Sequence, residues 1–345
     1  MADIIRVGIV GAGWPGQQHA KGFAAAGGFK ILGIADLIPA RREKLANEFK
    51  VAHQYLTAEE LIANKEIDVV SVCLPNFLHA PVTIAALKAG KHVMCEKPPA
   101  RTAKEAKQME TAATKAGKVL MYGFQRRFGG AELAARQAIE KGYLGDAYHA
   151  RAGWMRTRGI PIGTGWFTKK EQSGGGAMID IGVHMLDLAW YLMGEPKPVS
   201  VFAVTHQKFA TLVSPAIGDD VDDSAFALVR FEGGRSLELS ASWAINQPPH
   251  HEGATCRIHG DKAAIDVYTS GGATIYRGFD QKGVSKATPL KGPKTTLHVA
   301  LMRHFRECIL GKATPIMGSA QGSLLMQMMD AIYKSGETGK SVEIR

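Results

Sequence analysis

The stretch Arg6-Val7-Gly8-Ile9-Val10-Gly11-Ala12-Gly13-Trp14-Pro15-Gly16 decides the fold of this 345-residue chain. An apolar run that enters a Gly-x-Gly-x-x-Gly turn predicts a buried strand, a tight turn and then a helix. In such a turn the first glycine permits the bend, the second lets the backbone approach a pyrophosphate, and the third lets helix and strand pack closely. We therefore predict that the turn, Trp14 and Pro15 included, binds a dinucleotide at the helix N-terminus.

An aspartate at the end of the second apolar run, residues 30–35, indicates which dinucleotide. Asp36 lies 25 positions beyond Gly11. A carboxylate at this place can accept hydrogen bonds from the ribose hydroxyls of NAD, and it repels the 2′-phosphate of NADP. NAD is therefore the predicted cofactor and NADP the second choice, because Arg41 and its neighbour Arg42 could soften the preference. The alternative is that Asp36 only caps the turn before the next helix.

Regular alternation of apolar runs with helical segments predicts that residues 1–124 form a doubly wound, parallel α/β sheet, a dinucleotide-binding Rossmann domain. The runs 68–74, 92–95 and 118–122 are largely apolar along their length, as strands buried on both faces are. Thr57 and Thr102 are each followed three residues later by glutamate, the capping-box spacing that opens a helix.

Glu96 and Lys97 directly follow the run 92–95. Open α/β sheets bind ligands just beyond the carboxyl ends of their strands, so a carboxylate and an ammonium here are predicted to face the cofactor.

Pro75, Asn76 and His79 follow the run 68–74, at the same predicted edge. We expect Asn76 and His79 to contact the nicotinamide half of the cofactor. The alternative is that Asn76 caps the following helix and that His79 fills its first turn.

The remaining residues, 125–345, are predicted to form a substrate-binding and oligomerisation domain of the α+β class. Alternating apolar and polar residues over 147–156, 199–205, 224–231, 235–243 and 254–258 predict a large, mostly antiparallel sheet with one exposed face. An open sheet face is a candidate subunit interface. We therefore predict a homo-oligomer, a dimer or a tetramer.

A glycine run, Ser173-Gly174-Gly175-Gly176, leads into a predicted helix over residues 177–193. Asp180, His184 and Asp187 stand at i, i+4 and i+7 of that helix and so share one face. Buried polar groups need partners. The residues alone leave two interpretations open: a carboxylate–histidine hydrogen bond within the core, or an acid/base pair above a cofactor.

Composition excludes several classes of function. The net charge is +10, but the basic residues are scattered, which predicts an anionic small-molecule ligand and no nucleic-acid partner. No apolar run approaches the ~18 residues of a membrane span, and the N-terminus lacks the pattern of a secretory signal. The four cysteines show no metal-ligand spacing, so no metal is predicted and a reducing cytoplasm is expected.

Taken together, these motifs make the sequence resemble the Gfo/Idh/MocA family of NAD(P)-dependent oxidoreductases. The features that carry the resemblance are Gly11-Ala12-Gly13 with His19-Ala20, Pro75-Asn76 with His79, Glu96-Lys97-Pro98, and Gly174-Gly175-Gly176 leading to Asp180 and His184. The resemblance implies a catalytic role for Lys97, a peptide before Pro98 that is often cis, and an acid/base role for His184 paired with Asp180.

The resemblance also implies a reaction class without choosing one member. We expect reversible hydride transfer between NAD and a secondary alcohol carbon of a sugar, sugar derivative or cyclic polyol. His184 would accept the hydroxyl proton, Lys97 would stabilise the alkoxide, and Asp180 would orient the substrate or the imidazole. The rival hypothesis is a redox-neutral enzyme that cleaves glycosides through a transient keto-sugar.

Four further residues are predicted substrate contacts. Indole rings pack on sugar C–H surfaces, and guanidinium groups bind hydroxyl or acid groups. The residues are Arg127, Trp154, Arg158 and Trp166. The alternative for each is ordinary packing or surface charge.

Overall fold

The structure is a computed structural model that describes residues 4–161, 165–209, 220–268 and 271–344. The chain forms two compact units, residues 4–125 with 296–326, and residues 126–295 with 327–344. The first segment of the first unit ends at residue 125, close to the predicted domain boundary after residue 124. The second unit is smaller than predicted, because the segment 296–326 returns to the first.

The first unit contains a six-stranded parallel sheet, and the predicted doubly wound fold is confirmed. The strand order is β3-β2-β1-β4-β5-β6, with every pair parallel. The strands are β1 (Ile5–Val10), β2 (Phe29–Ala35), β3 (His53–Tyr55), β4 (Val69–Val72), β5 (His92–Cys95) and β6 (Leu120–Tyr122). Every residue of β4 is buried, because helices cover both faces of the sheet.

Five helices alternate with these strands. They are α1 (Trp14–Ala26), α2 (Pro39–Phe49), α3 (Ala58–Ala63), α4 (Asn76–Lys88) and α5 (Ala103–Ala116). Thr57 and Glu60 form the predicted reciprocal capping box of α3, and the Thr102 hydroxyl accepts from the Glu105 N–H at the start of α5. Helix α4 begins at Asn76, directly after Pro75, and contains Pro81.

The second unit contains a nine-stranded sheet in the order β14-β13-β12-β11-β7-β10-β9-β8-β15, antiparallel except for the β7–β10 pair. The predicted large antiparallel sheet is therefore confirmed. Its strands are β7 (Ala147–Met155), β8 (Pro198–His206), β9 (Ser224–Phe231), β10 (Ser236–Ser242), β11 (Gly253–Gly260), β12 (Ala263–Asp266), β13 (Ala273–Arg277), β14 (Lys286–Leu290) and β15 (Val342–Glu343).

One face of this sheet packs against helices. Those that contact the sheet are α6 (Gly130–Glu140) and α8 (Val183–Leu192), and a single helical turn, α7 (Lys170–Ser173), lies between them in the chain. Helix α8 contacts β7, β10 and β11, and nearly all of its residues are buried. A π-helical turn, Met178–Gly182, leads directly into α8.

The C-terminal part of the chain adds α9 (Leu297–Ile309) and α10 (Ser319–Thr338). Helix α9 packs closely on α1: a Cβ built on Gly22 would lie 3.1 Å from the Cβ atom of His298. This helix pair explains why residues 296–326 belong to the first unit. Within the described residues, no helix combines the length and apolarity that a membrane crossing requires.

Candidate functional site

The glycine turn between β1 and α1 has the geometry of a pyrophosphate cradle. Gly11 has φ of +95°, and a Cβ there would lie 2.2 Å from the Cys73 carbonyl oxygen. A Cβ on Gly16 would lie 1.9 Å from the Gly11 carbonyl oxygen, so this glycine allows the helix to pack on the turn. At Gly13 the nearest atom to a Cβ is Pro15 Cδ at 3.9 Å, which leaves the approach open. The turn therefore fits the phosphates of a dinucleotide.

The first residues of α1 complete the turn. Trp14 is the first helical residue and is 65% exposed, and Pro15 occupies the first helical turn, where a missing N–H costs no hydrogen bond.

Asp36 lies at the end of β2, directly beside the glycine turn. Its Oδ2 accepts from the Ala12 N–H at 2.7 Å, and its Oδ1 accepts from the Ile38 N–H at 2.8 Å. The second bond is the turn cap that the sequence left as the alternative. The first bond holds the carboxylate at the turn, where a ribose would bind. Arg42 donates to the Asp36 carbonyl oxygen at 2.7 Å, whereas the predicted Arg41 is exposed.

His79 differs from the predicted cofactor contact. Its side chain is 0% exposed, with Nδ1 2.8 Å from the Pro98 carbonyl oxygen and Nε2 2.8 Å from the Leu74 carbonyl oxygen. Burial lowers the pKa of His79, and the two carbonyl groups oppose that shift. The ring therefore ties the end of β4 to the loop after β5, and we do not propose it as a direct cofactor contact.

At the start of α4, Asn76 is still a predicted contact of the nicotinamide. Pro75 is the N-cap of α4, and Asn76, its first residue, is 4% exposed. Asn76 therefore does not cap the helix. Its contact with the nicotinamide remains a prediction.

Glu96 and Lys97 follow β5, at the carboxyl edge of the sheet. The peptide between Lys97 and Pro98 is cis. Glu96 Oε2 accepts from the Lys97 N–H at 2.9 Å, and Oε1 lies 2.9 Å from His19 Nε2. Burial would raise the pKa of Glu96, but His19 and Lys97 lower it to about 2. The carboxylate is therefore ionised, and Lys97 is half-buried at the strand exit.

One cluster in the described part of the chain has metal-ligand atoms in reach of each other. Ligand atoms of His19, Glu96 and His298 all lie within 4.8 Å. The two nitrogens of His19 already contact Ser71 and Glu96, so a metal would have to displace an existing hydrogen bond. We propose no metal here.

Asp180 and His184 lie on the helical segment that begins as the π-turn. The Val183 N–H donates to the Met178 carbonyl oxygen, five residues back. The sequence predicted one continuous α-helix, and the extra residue in this turn changes the angular spacing of the polar side chains. The Trp243 indole donates to Asp180 Oδ2 at 2.9 Å. His184 is 6% exposed, and its ring lies 5.9 Å from the Trp154 ring.

A buried carboxylate holds the start of this segment. Asp222 accepts from the Gly176 N–H at 2.7 Å and from the Met178 N–H at 2.9 Å. A Cβ on Gly176 would lie 1.8 Å from the Asp222 carbonyl oxygen, and a Cβ on Gly175 would lie 2.2 Å from the Tyr333 hydroxyl. The glycine run is therefore required for the close approach of backbone to Asp222 and Tyr333.

Trp154 lies in a cluster of aromatic and basic groups. The Arg126 guanidinium carbon is 4.5 Å from the centre of its ring, and that of Arg156 is 5.1 Å from it. Arg126 also donates to the Tyr268 hydroxyl at 3.0 Å. The sequence did not single out Arg126 as a candidate substrate contact. The one feature that could have indicated it is its position next to Arg127, which was predicted to be such a contact.

Arg127 is not placed as predicted. Its side chain is 0% exposed and binds both carboxylate oxygens of Asp187, at 3.0 and 2.7 Å, and Glu195 at 2.6 Å. This buried ion pair leaves no surface for a substrate, so we withdraw Arg127 as a substrate contact. It also takes Asp187 away from the polar face that the sequence assigned jointly to Asp180 and His184.

Two predicted substrate contacts lie in less buried positions. Arg158 is exposed and donates to the Asn246 side-chain oxygen at 2.8 Å. Trp166 is half-buried and stacks on Phe167 with ring centres 3.9 Å apart. Both remain predictions.

Comparison with known families gives matches in both units. A family model described as an oxidoreductase family with an NAD-binding Rossmann fold matches residues 5–124. A model of the GFO/IDH/MocA C-terminal domain matches residues 133–266.

Individual relatives match over almost the whole chain. The D-glucoside 3-dehydrogenase of Escherichia coli (strain K12) is 36% identical over 352 aligned residues, covering 99% of this chain and 97% of that protein. A levoglucosan dehydrogenase solved in complex with NADH has a TM-score of 0.87 at 25% identity and covers 99% of both chains. An aldose-aldose oxidoreductase from Caulobacter crescentus, solved with glycerol, has a TM-score of 0.83 at 27% identity, covering 98% of this chain and 99% of that one.

Proposed function

The chain belongs to the Gfo/Idh/MocA family of NAD-dependent oxidoreductases, and we propose that it transfers a hydride between NAD and a secondary hydroxyl or keto carbon of a sugar, sugar derivative or cyclic polyol. It is an enzyme that acts on CH–OH groups. The observation that carries the sugar assignment is the group around His184: a largely buried imidazole beside the Trp154 indole, with Asp180 one turn earlier held by Trp243.

Each reacting group has a role that follows from its chemistry. NAD, when bound, supplies the ring carbon that accepts or returns the hydride. His184 removes the hydroxyl proton as the alcohol is oxidised, and Lys97 stabilises the negative charge on that oxygen. Asp180, oriented by the Trp243 N–H, positions the substrate hydroxyl or the imidazole.

The substrate surface is assigned to aromatic and cationic side chains of the second unit. Trp154 offers an indole face to sugar C–H groups, and Arg126 beside it offers donors to hydroxyl oxygens. Arg158 and Trp166 remain further candidates. A relative that matches almost the whole chain is named D-glucoside 3-dehydrogenase. We therefore place D-glucosides first among the substrates and C3 first among the carbons to examine for oxidation.

A substrate screen tests the proposal directly. The protein is mixed with NAD or NADP and with D-glucosides, anhydrosugars, inositols and sugar acids, and absorbance at 340 nm is followed. We expect NADH formation with at least one glucoside. Lys97→Ala should lower kcat by at least ~10²-fold, while NADH binding remains, because the lost charge acts on the developing alkoxide. The control, Lys104→Ala, changes an exposed lysine of α5 and should leave kcat unchanged.

The same screen separates the redox-neutral alternative. Products are analysed for released aglycone as well as for NADH. Glycoside cleavage without net NADH would favour the rival reaction through a keto-sugar. Absence of both NADH and cleavage across the sugar panel would contradict the substrate class.

We also propose that the open face of the large sheet pairs with a second copy of the chain. Phe202, Val204 and Leu228 on β8 and β9 are 49%, 39% and 43% exposed. On the adjoining strands, Glu238 on β10 binds Arg151 on β7 at 2.8 Å. Phe202, Val204 and Leu228 form the apolar end of this face. A face with an apolar end and with charges of both signs can be complementary to itself, as a two-fold interface requires. We place the protein in the cytoplasm, which suits its four buried, free cysteines.

A further inference from the structure

A histidine of the first unit stands out because no step of the proposed reaction uses it. His19 lies in the second turn of α1 and is 0% exposed. A buried imidazole needs partners for its ring nitrogens. Nδ1 lies 2.8 Å from the Ser71 hydroxyl of β4, and Nε2 lies 2.9 Å from Glu96 Oε1 after β5. The ring therefore links three elements of the nucleotide-binding unit.

The second oxygen of Glu96 extends this chain of hydrogen bonds to Lys97. Oε2 accepts from the Lys97 backbone N–H at 2.9 Å. An ionised carboxylate has no hydrogen of its own, so it accepts from His19 and from Lys97 at the same time. On a third side, a Cβ built on Gly123 would lie 3.3 Å from Glu96 Cδ, so there is little free space beside the carboxylate.

Charge explains why a histidine suits this position. A buried carboxylate is costly unless a partner compensates it, and without one it takes up a proton. Burial alone would lower the pKa of His19, but Cys73 and Glu96 raise it above the ordinary value. A protonated ring donates from both nitrogens, which matches acceptor oxygens on Ser71 and Glu96.

We propose that His19 is a positioning residue for the reaction: it holds the Glu96 carboxylate in the orientation that fixes the Lys97 backbone at the exit of β5. The ammonium of Lys97 is carried by that backbone, and a displacement of about 1 Å in a catalytic group can cost ~10²-fold in rate. This inference rests on the proposed role of Lys97. In addition, the inference makes α1, through His19, an element that sets the position of the Lys97 backbone at the exit of β5.

Two substitutions separate the two hydrogen bonds of the ring. The His19→Gln amide can reproduce the Nε2–H donor to Glu96, whereas the shorter His19→Asn amide reproduces only the bond toward Ser71. We expect His19→Asn to lower kcat by about 10²-fold, with a smaller change in KM, and His19→Gln to recover most of that loss. His304→Asn is the matched control: His304 is a partly buried histidine of α9 that accepts from the Ile316 N–H at 3.2 Å. It should change thermal stability but not kcat.

A double-mutant cycle tests the route through Lys97. In a Lys97→Ala background, His19→Asn should have almost no further effect on kcat. An equal loss in both backgrounds, or unchanged kcat in His19→Asn alone, would overturn the inference while leaving the proposed function intact. If Lys97→Ala itself retains full activity, the role of Lys97 fails, and the inference fails with it.

Hydrogen exchange gives a readout that needs no substrate. In the NADH-bound protein, a peptide covering residues 94–100 contains few amides, because Pro98 and Pro99 carry none. His19→Asn should speed exchange of the Lys97 amide by at least ~10-fold, and His19→Gln should protect it again. Equal protection of Lys97 in wild type and His19→Asn would contradict the positioning role.

Discussion

At the scale of single residues, the turn cap and the ribose contact that the sequence had set against each other for Asp36 are compatible. Its carboxylate accepts from Ala12 in the glycine turn and from Ile38 before α2. The local bond to Ile38 follows from chain proximity. The bond to Ala12 places the same negative charge where a ribose would bind, so a cap and a cofactor contact are compatible here.

A charge-neutral substitution separates these roles. Asp36→Asn removes the charge that repels a 2′-phosphate and keeps one of the two oxygens that accept from the backbone. We expect the ratio of kcat/KM for NADP to that for NAD to rise at least ~10-fold, with a lower unfolding midpoint because one backbone N–H loses its acceptor. Glu43→Gln, at an exposed carboxylate of α2, is the control. An unchanged ratio in Asp36→Asn would reduce Asp36 to a turn cap.

Two adjacent arginines have different environments, and this gives a second prediction. Arg127→Met leaves Asp187 buried without its partner and should cost ~3–5 kcal/mol of unfolding free energy. Arg126→Met, beside Trp154, should instead lower kcat/KM for the sugar with little change in stability. Denaturant unfolding and steady-state kinetics distinguish the pair. The reverse pattern would mean that Arg127, and not Arg126, meets the substrate.

At the scale of elements, the segment from the glycine run to α8 depends on close backbone contacts. Asp222 accepts from two N–H groups at its start, and the Tyr333 hydroxyl accepts from Ile179 at 3.1 Å. At the π-turn, a Cβ on Gly182 would lie 2.9 Å from the Ala241 side chain of β10. The π-turn thus lies against β10, and Asp180 and His184 lie in and just after it.

Adding one methyl group tests that requirement. Gly176→Ala would place a Cβ 1.8 Å from the Asp222 carbonyl oxygen, so the start of the segment must move. We expect a loss of ~1–3 kcal/mol in unfolding free energy and a marked fall in kcat, while NADH still binds the first unit. Gly272→Ala is the control, because no atom lies within 4 Å of a Cβ there. Turnover at the wild-type rate in Gly176→Ala would show that this contact does not position His184.

At the scale of the whole molecule, the open face of the large sheet has a charged row beside its apolar end. Four charged residues lie opposite one another on neighbouring strands: Glu238 on β10, Arg151 on β7, Arg257 on β11 and Asp266 on β12. Arg151 binds Glu238 at 2.8 Å and Arg257 binds Asp266 at 2.6 Å. The row combines both charge signs in one line, a pattern that a second copy of the same face can match.

A charge placed in the apolar end tests the proposed assembly. Leu228→Glu should shift the protein from an oligomer to a monomer, because a carboxylate would be buried without a partner at the interface. Light scattering coupled to size-exclusion chromatography measures the mass. Val284→Glu, at a 64% exposed position outside this face, should leave the mass unchanged. A wild-type monomer would contradict the proposal outright.

Local patterns of the sequence were sufficient for the parallel sheet, the glycine turn, both helix caps and the exit of β5 at Lys97. These features arise between residues close in the chain or from the apolar runs of single strands. Tertiary structure alone decided that Arg127 is buried while Arg126 meets Trp154, that His79 ties two loops together, and that residues 296–326 return to the first unit. Each depends on partners distant in the chain, and no spacing rule encodes which side chains meet when separate elements pack.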